Sequence, residues 1–313
     1  MRQTIRQIVI IVMLLTIPAC GGAAVPRTTP QVKRILIVSI DGLRPDVALR
    51  ADMPNLRALA NAGCFTYCAL TVDPPLTLPA HTSMLTGCLP SKHAVWTDLD
   101  RPDEPVVHPK VPTLFELAKK AGYTTAIATG KAKFEALLTP DALDWSYVPK
   151  VYAQDFQVAQ QAAEMIKLHR PHLLFVQLAG VDAAGHGSGW GSDDQLLAAH
   201  DADAALGLLL AELRHANLID ETAVFAVSDH GGTGYAHWYP DDRSAHVVWV
   251  LSGPRIKKNL DLTRYPELTV HVYDTFATAC YLLKIPPPAD VDAKPVLQVI
   301  DREEVRDAGA PAK

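Results

Sequence analysis

Acids and imidazoles recur along this chain at spacings that suit metal ligation. Asp182-Ala183-Ala184-Gly185-His186 sets a carboxylate and an imidazole four residues apart, with Gly187, Gly189 and Gly191 close behind. Asp229-His230 is an adjacent pair followed by Gly231 and Gly232, and His237 comes shortly after. Mixed carboxylate and imidazole ligands suit zinc better than manganese or iron. Each piece has a plainer reading on its own: Asp-x-x-x-His also serves as a helix cap or surface pair, and an Asp-His dipeptide proves nothing. A further stretch supplies a hydroxyl. In Thr77-Leu78-Pro79-Ala80-His81, the proline is suited to open a helix that runs over Ala80 to Leu85 and stops at Gly87. Thr77 then stands just ahead of a helix N-terminus, where free N–H groups and the dipole favour an anion. It reads either as an N-cap or as a nucleophile beside a bound phosphoryl or sulfuryl group.

The elements that must position these groups follow from the apolar runs. Arg34-Ile35-Leu36-Ile37-Val38-Ser39-Ile40 is continuous enough to be a strand buried on both faces, and it ends in Asp41-Gly42. Helices are expected over Pro54 to Ala62, Thr113 to Ala121, Ala153 to His169, Asp194 to Ala216 and Val272 to Leu283. Strands are expected over Thr124 to Ala128, His172 to Leu178, Thr222 to Val227 and Val247 to Leu251. This alternation argues for an open α/β sheet, mostly parallel, with helices on both faces. Asp41, Asp182 and Asp229 each follow a separate buried strand, and sites in such sheets form at the carboxyl ends of strands. Acids gathered at one edge repel one another unless cations neutralise them.

Taken in order, Ile40-Asp41-Gly42, Thr77-Leu78-Pro79-Ala80-His81, Asp182-x-x-Gly185-His186 and Ser228-Asp229-His230-Gly231 resemble the alkaline phosphatase superfamily, in its type I phosphodiesterase and nucleotide pyrophosphatase branch. The resemblance runs from about Ile35 to Leu297 and implies an alkaline-phosphatase-like α/β sandwich with two divalent metal ions, zinc foremost. It implies that Asp41, Thr77, Asp229 and His230 hold one ion and that Asp182, His186 and His237 hold the other. His246 competes with His237, though it opens an apolar strand. Trp238 stands where the family usually has Gly. Thr77 would be the nucleophile, passing through a phosphothreonine intermediate. Lys131 resembles a substrate-facing lysine, with a solvated surface lysine as the alternative. Asp98 stands where the branch usually carries an Asn that donates to a phosphoryl oxygen. An ionised carboxylate cannot donate, so either Asp98 is protonated, or it turns outward while Thr97 donates, or it meets a cationic or hydroxyl group of the substrate; the second is expected. Sulfatases share the fold, but their Cys or Ser followed by x-Pro-x-Arg is absent, since Thr77 and His81 hold those places.

The remaining features set the address. Arg2 and Arg6, the apolar run Ile8 to Ile17 and Pro18-Ala19-Cys20-Gly21-Gly22 read as a secretory signal, too short to span a membrane. Cleavage before Cys20 is expected, with or without lipidation, followed by a tether to Lys33, a catalytic domain over 34–300 and a loose tail. Membrane contact is therefore expected only through a lipid at Cys20, and the location is a bacterial envelope or periplasm. The chain has 313 residues, 49% of them hydrophobic, and a formal net charge of −5. No basic run interleaved with aromatics occurs, so nucleic acid is not an expected partner. The expected partner is a small-molecule or envelope phosphate ester. A phosphomonoesterase, a phosphoryl transferase and a non-catalytic metal- and anion-binding lipoprotein are the alternatives. Cys64 and Cys68 are the expected reactive pair, Cys280 a core residue. His200, Asp201 and Asp203 read as the polar seam of the long helix, and His81 as support for the helix behind Thr77. Trp190, Trp238 and Tyr239 read as packing residues or as the lining of a leaving-group pocket.

Overall fold

The computed structural model describes residues 31–98, 106–238 and 241–301. The signal segment, nearly all of the tether, the tail beyond Asp301 and Tyr239 lie outside these. In chain order the first elements are β1 (Arg34–Ile40), α1 (Pro45–Arg50), α2 (Pro54–Asn61), β2 (Cys64–Leu70), α3 (Thr77–Thr86), α4 (Pro90–His93) and α5 (Leu114–Lys120). They are followed by β3 (Thr125–Thr129), β4 (Trp145–Tyr147), α6 (Asp155–His169), β5 (Leu173–Leu178), α7 (Gly180–Ser188) and α8 (Asp193–His215). The last are β6 (Thr222–Val227), α9 (Asp242–Ala245), β7 (His246–Ser252), β8 (Leu260–Asp261) and α10 (Asp274–Leu283).

The eight strands form one sheet in the order β4-β3-β5-β1-β6-β7-β2-β8. Pairing is parallel except around β7, which runs antiparallel to both β6 and β2. Alternate residues of β1 feed two cores. Ile35 and Ile37 pack with Phe175, Phe225 and residues of α3, α5 and α10 on one face. Leu36, Val38 and Ile40 pack with residues of α2, α6 and α8 on the other. Burial on both faces is why these strands read as unbroken apolar runs.

Several local expectations are corrected. Helix α3 begins at Thr77 rather than at Pro79, which sits within the first turn, where a missing N–H costs nothing. Asp203, read as part of the polar seam of the long helix, has a structural role there. It is buried, and its carboxylate accepts from Asn55 and Leu56 N–H at 2.9 and 2.7 Å, capping α2 from α8. Cys64 and Cys68 lie on one extended strand, four residues and roughly 13 Å apart, beyond the reach of a disulfide. Both are free, Cys64 buried and Cys68 exposed, while Cys280 is a core residue.

Candidate metal centre

The central strands β5, β1 and β6 lie side by side, and the chain leaving each carries an acid to the same edge. Asp41 follows β1 directly and Asp229 follows β6 by two residues. Asp182 lies in the first turn of α7. No helix was expected there, yet one puts Asp182 and His186 on one face, one turn apart. Gly42, with φ of 71°, makes the convergence possible, because a Cβ there would stand 2.9 Å from the Asp182 backbone.

Two sets of ligand-type atoms result, Asp41 with Asp229 and His230, and Asp182 with His186 and His237. His230 Nε2 lies 3.4 Å from Asp41 Oδ1 and 3.3 Å from Asp229 Oδ2. His186 Nε2 lies 3.5 Å from Asp182 Oδ1 and 3.1 Å from His237 Nε2. In all three imidazoles Nδ1 faces a backbone carbonyl: Gly231 for His230, Tyr235 for His186 and Pro75 for His237. A carbonyl only accepts, so Nδ1 carries the proton and Nε2 presents its lone pair to the site, the usual state of a metal-ligating histidine. His246 bonds through Nδ1 to the Asp242 carbonyl and belongs to neither set.

The carboxylates supply a test of fit. Asp41 Oδ1, Asp182 Oδ1 and Asp229 Oδ2 are buried without a hydrogen-bond partner among the described residues. Buried oxygens without donors are costly, and cations at the two sets would relieve all three. The residues present therefore fit divalent metal ions. The protonation pattern agrees. Burial raises the Asp41 carboxyl, but Lys131, His230 and His81 overcome it and hold it well below the ordinary range. Asp229 is pushed well above that range by burial and by the charge of Asp41. Burial, reinforced by the neighbouring His230, lowers His237 to about 4, which keeps it neutral.

Thr77 sits beside the first set. Its Oγ1 lies 3.3 Å from His230 Nε2 and accepts from Lys131 Nζ at 3.3 Å. It makes no capping bond to α3, so the cap reading falls. Lys131 is no surface lysine either. Its Nζ reaches Asp41 Oδ2 at 2.9 Å and Asp182 Oδ2 at 2.6 Å. Burial alone would lower its pKa, but these two acids raise it well above the ordinary value.

Asp98 points inward, against the outward turn expected of it. Its Oδ1 accepts from Leu78 N–H at 2.7 Å, and Lys133 lies 3.2 Å from Oδ2. Burial works against its ionised form, yet Lys133 and the Leu78 N–H hold its pKa below the ordinary value. Thr97 is exposed beside it. Trp190 is buried, Trp238 exposed.

Some supporting residues escaped the sequence reading. Gln177 on β5 donates to Asp41 Oδ2 at 2.6 Å and accepts from Gly130 N–H at 2.9 Å. Ser39 on β1 donates to His81 Nε2 at 2.7 Å, while His81 Nδ1 donates to the Thr77 carbonyl at 2.7 Å. Asp155 accepts from Ala179 and Gly180 N–H at 2.7 and 2.9 Å, fixing the start of α7. The available signal was a polar residue interrupting a buried strand, as Gln does in Leu-Leu-Phe-Val-Gln-Leu.

A profile of the type I phosphodiesterase / nucleotide pyrophosphatase family matches residues 35–279. The chain belongs to that family. Human ectonucleotide pyrophosphatase/phosphodiesterase family member 1 is 24% identical over 219 residues, covering 63% of this chain and 23% of that protein. The Xenopus laevis bis(5'-adenosyl)-triphosphatase enpp4 is 25% identical over 244 residues, covering 72% and 52%. The chain thus spans about a quarter to a half of the length of these curated relatives. Among solved structures, murine ectonucleotide pyrophosphatase/phosphodiesterase 5, as an inactive threonine-to-alanine variant with AMP, aligns with a TM-score of 0.70 at 14% identity, covering 86% of this chain and 99% of that one. A sulfatase-like protein from Bacteroides thetaiotaomicron aligns with a TM-score of 0.70 at 16% identity, covering 88% and 76%. These likenesses are of fold, the alkaline-phosphatase-like sandwich.

Proposed function

We propose that the protein is an exported, metal-dependent hydrolase of phosphodiester or pyrophosphate bonds with Thr77 as nucleophile. The observation that carries this reading is the Thr77 hydroxyl beside His230, in a site where two ligand sets adjoin through the stacked His230 and His237 rings and their acids keep buried oxygens without donors. Asp41, Asp229 and His230 would hold one zinc ion beside Thr77, and Asp182, His186 and His237 the other. Bound there, the ions supply Lewis acidity to the attacking and departing oxygens. Thr77 gives its proton to water and Oγ1 attacks phosphorus. The bond to the leaving oxygen breaks, and that oxygen takes a proton from water where it leaves as an alcohol. A second water cleaves the resulting phosphothreonine ester and returns a proton to Oγ1. Lys131 donates to Oγ1 and, being strongly held in its charged form, stabilises the alkoxide rather than acting as a base. His81, bonded to the Thr77 carbonyl, fixes the first turn of α3.

The family membership and the threonine-to-alanine inactivation of the murine relative support a nucleophilic role for Thr77. A panel of nitrophenyl phosphodiesters, phosphomonoesters and sulfates, assayed with zinc analysis, tests the reading. Thr77→Ala is expected to retain its metals and fold while losing turnover by orders of magnitude. Diester turnover at the parental rate would exclude Thr77 as nucleophile. A preference for monoesters or acceptor alcohols would instead favour the phosphatase or transferase alternatives.

Export rests on the N-terminal basic and apolar pattern, with Cys20 as the proposed start of the mature chain. A single acyl chain anchors weakly, so stable attachment needs more than one. Mass spectrometry of the mature N-terminus decides between lipidated Cys20 and simple cleavage.

A further inference from the structure

Trp190 is a large side chain placed where the ligand-bearing segments meet, and the reaction described above gives it no role. It is almost fully buried. Its indole Nε1–H donates to the Gly42 carbonyl at 3.0 Å, next to Asp41. Its own backbone N–H donates to the Gly234 carbonyl at 2.8 Å, in the loop that leads to His237. The ring meets His186 edge-on at 5.1 Å between centroids and His237 at 5.7 Å. Two glycines make room for it. A Cβ on Gly185 would stand 2.8 Å from the indole, and one on Gly232 would stand 2.3 Å away. Gly185 precedes His186, and Gly232 follows His230 by two residues.

One indole therefore touches all four segments that deliver ligands. The N–H bond fixes the turn after β1. The ring faces fill the space left by the glycines of α7 and of the loop after β6. The ring edge limits rotation of His186 and His237, whose Nδ1 bonds alone leave them free to tilt. We propose that Trp190 is a positioning residue shared by both ligand sets, holding α7 in register with the turns that carry Asp41, His230 and His237. The glycines around it are then paired with the indole rather than required by backbone conformation. This inference rests on the two-metal reading given under Proposed function.

The test measures zinc affinity, not turnover. The metal-free full chain is titrated with Zn2+ against a chromophoric chelator, and urea melts of the metal-free forms run alongside. Two tight sites in the parental protein support the metal reading, and their absence would remove that reading before any variant is made. Given tight sites, Trp190→Ala should weaken both by 10- to 100-fold, the range expected when partners that orient ligands are lost. Trp190→Phe keeps a ring without the N–H donor, should fold as the parent does, and should lose severalfold. Gly232→Ala in the parental background should mimic Trp190→Ala, because its methyl group meets the indole. In the Trp190→Ala background the same change should cost little further, since the obstruction is gone. Such non-additivity is the signature of one shared contact. Parental affinities in both Trp190 variants, or losses from Trp190→Ala and Gly232→Ala that simply multiply, would overturn the proposal. If Trp190→Ala fails to fold, Trp190→Phe and the single Gly232→Ala change still decide it.

Discussion

The two ligand sets are built differently. Asp41, Asp229 and His230 are fully buried and leave adjacent parallel strands within a few residues. Their geometry is inherited from the sheet. Asp182, His186 and His237 come instead from a nine-residue helix and a loop, and the His186 side chain is 38% exposed. Their supports differ in kind as well. Neutral Gln177 steadies Asp41, whereas the helix carrying Asp182 is pinned by the acid Asp155. The strand-borne set is buried and electrostatically strained; the helix-borne set opens to solvent at His186 and depends on its neighbours.

The largest effect expected from this contrast is at Asp229. Asp229→Asn should remove tight zinc binding at the strand-borne set and lower turnover by orders of magnitude. It should also raise the thermal midpoint of the metal-free protein, because a carboxylate disfavoured by burial and by Asp41 is gone. His186→Ala should abolish tight binding at its own set with little change in that midpoint. Equal midpoints for the two variants would break the contrast.

Next in size is a pH effect at Asp155, whose burial raises its carboxyl to about 6. A raised pKa means that the folded state holds the proton more tightly than the unfolded chain. Stability is therefore greatest below the ordinary carboxylate value and is lost as pH climbs through about 6, a change of about 3 kcal/mol for this group. Urea melts of metal-free parent and Asp155→Asn between pH 4 and 7 should show that difference shrinking with pH; parallel curves would remove Asp155 as a titrating anchor.

Asp98→Asn is expected to act more modestly. The amide oxygen can still accept from Leu78 N–H, next to Thr77, while the negative charge paired with Lys133 disappears and leaves that cation for an anionic substrate. Turnover of simple nitrophenyl diesters should rise about tenfold, or about 1.4 kcal/mol, and kcat/KM for both forms measures it. An unchanged or lower value would mean that Asp98 serves the natural substrate. Smallest is a kinetic difference. Chelation of the zinc-loaded protein should proceed in two phases, with the metal beside exposed His186 leaving severalfold faster. A single phase would show that the sets empty together.

Much of this was legible because burial on both faces of a parallel sheet leaves a plain trace. The run Ile35 to Ile40 marks β1, and the acid that follows it stands in one of the two candidate ligand sets. β2 was missed because it alternates in burial and reads Cys-Phe-Thr-Tyr-Cys-Ala-Leu, with no continuous apolar run. α7 was missed because Gly180, Gly185 and Gly187 suggest a turn, whereas two of them answer to packing: Gly180 gives way to Asp155 and Gly185 to Trp190. The inward turn of Lys131 and Asp98 depends on partners far away in sequence, which no local pattern reports.

Lys33 and Arg34 close the fold at the opposite rim, both paired with Glu221. Seven residues of β1 separate that rim from Asp41, roughly 23 Å of extended chain. Any leash formed by the residues before Lys33 thus fastens to the rim opposite Asp41. Were the chain held by that leash, as proposed, lengthening it would widen the volume the site sweeps and free its orientation.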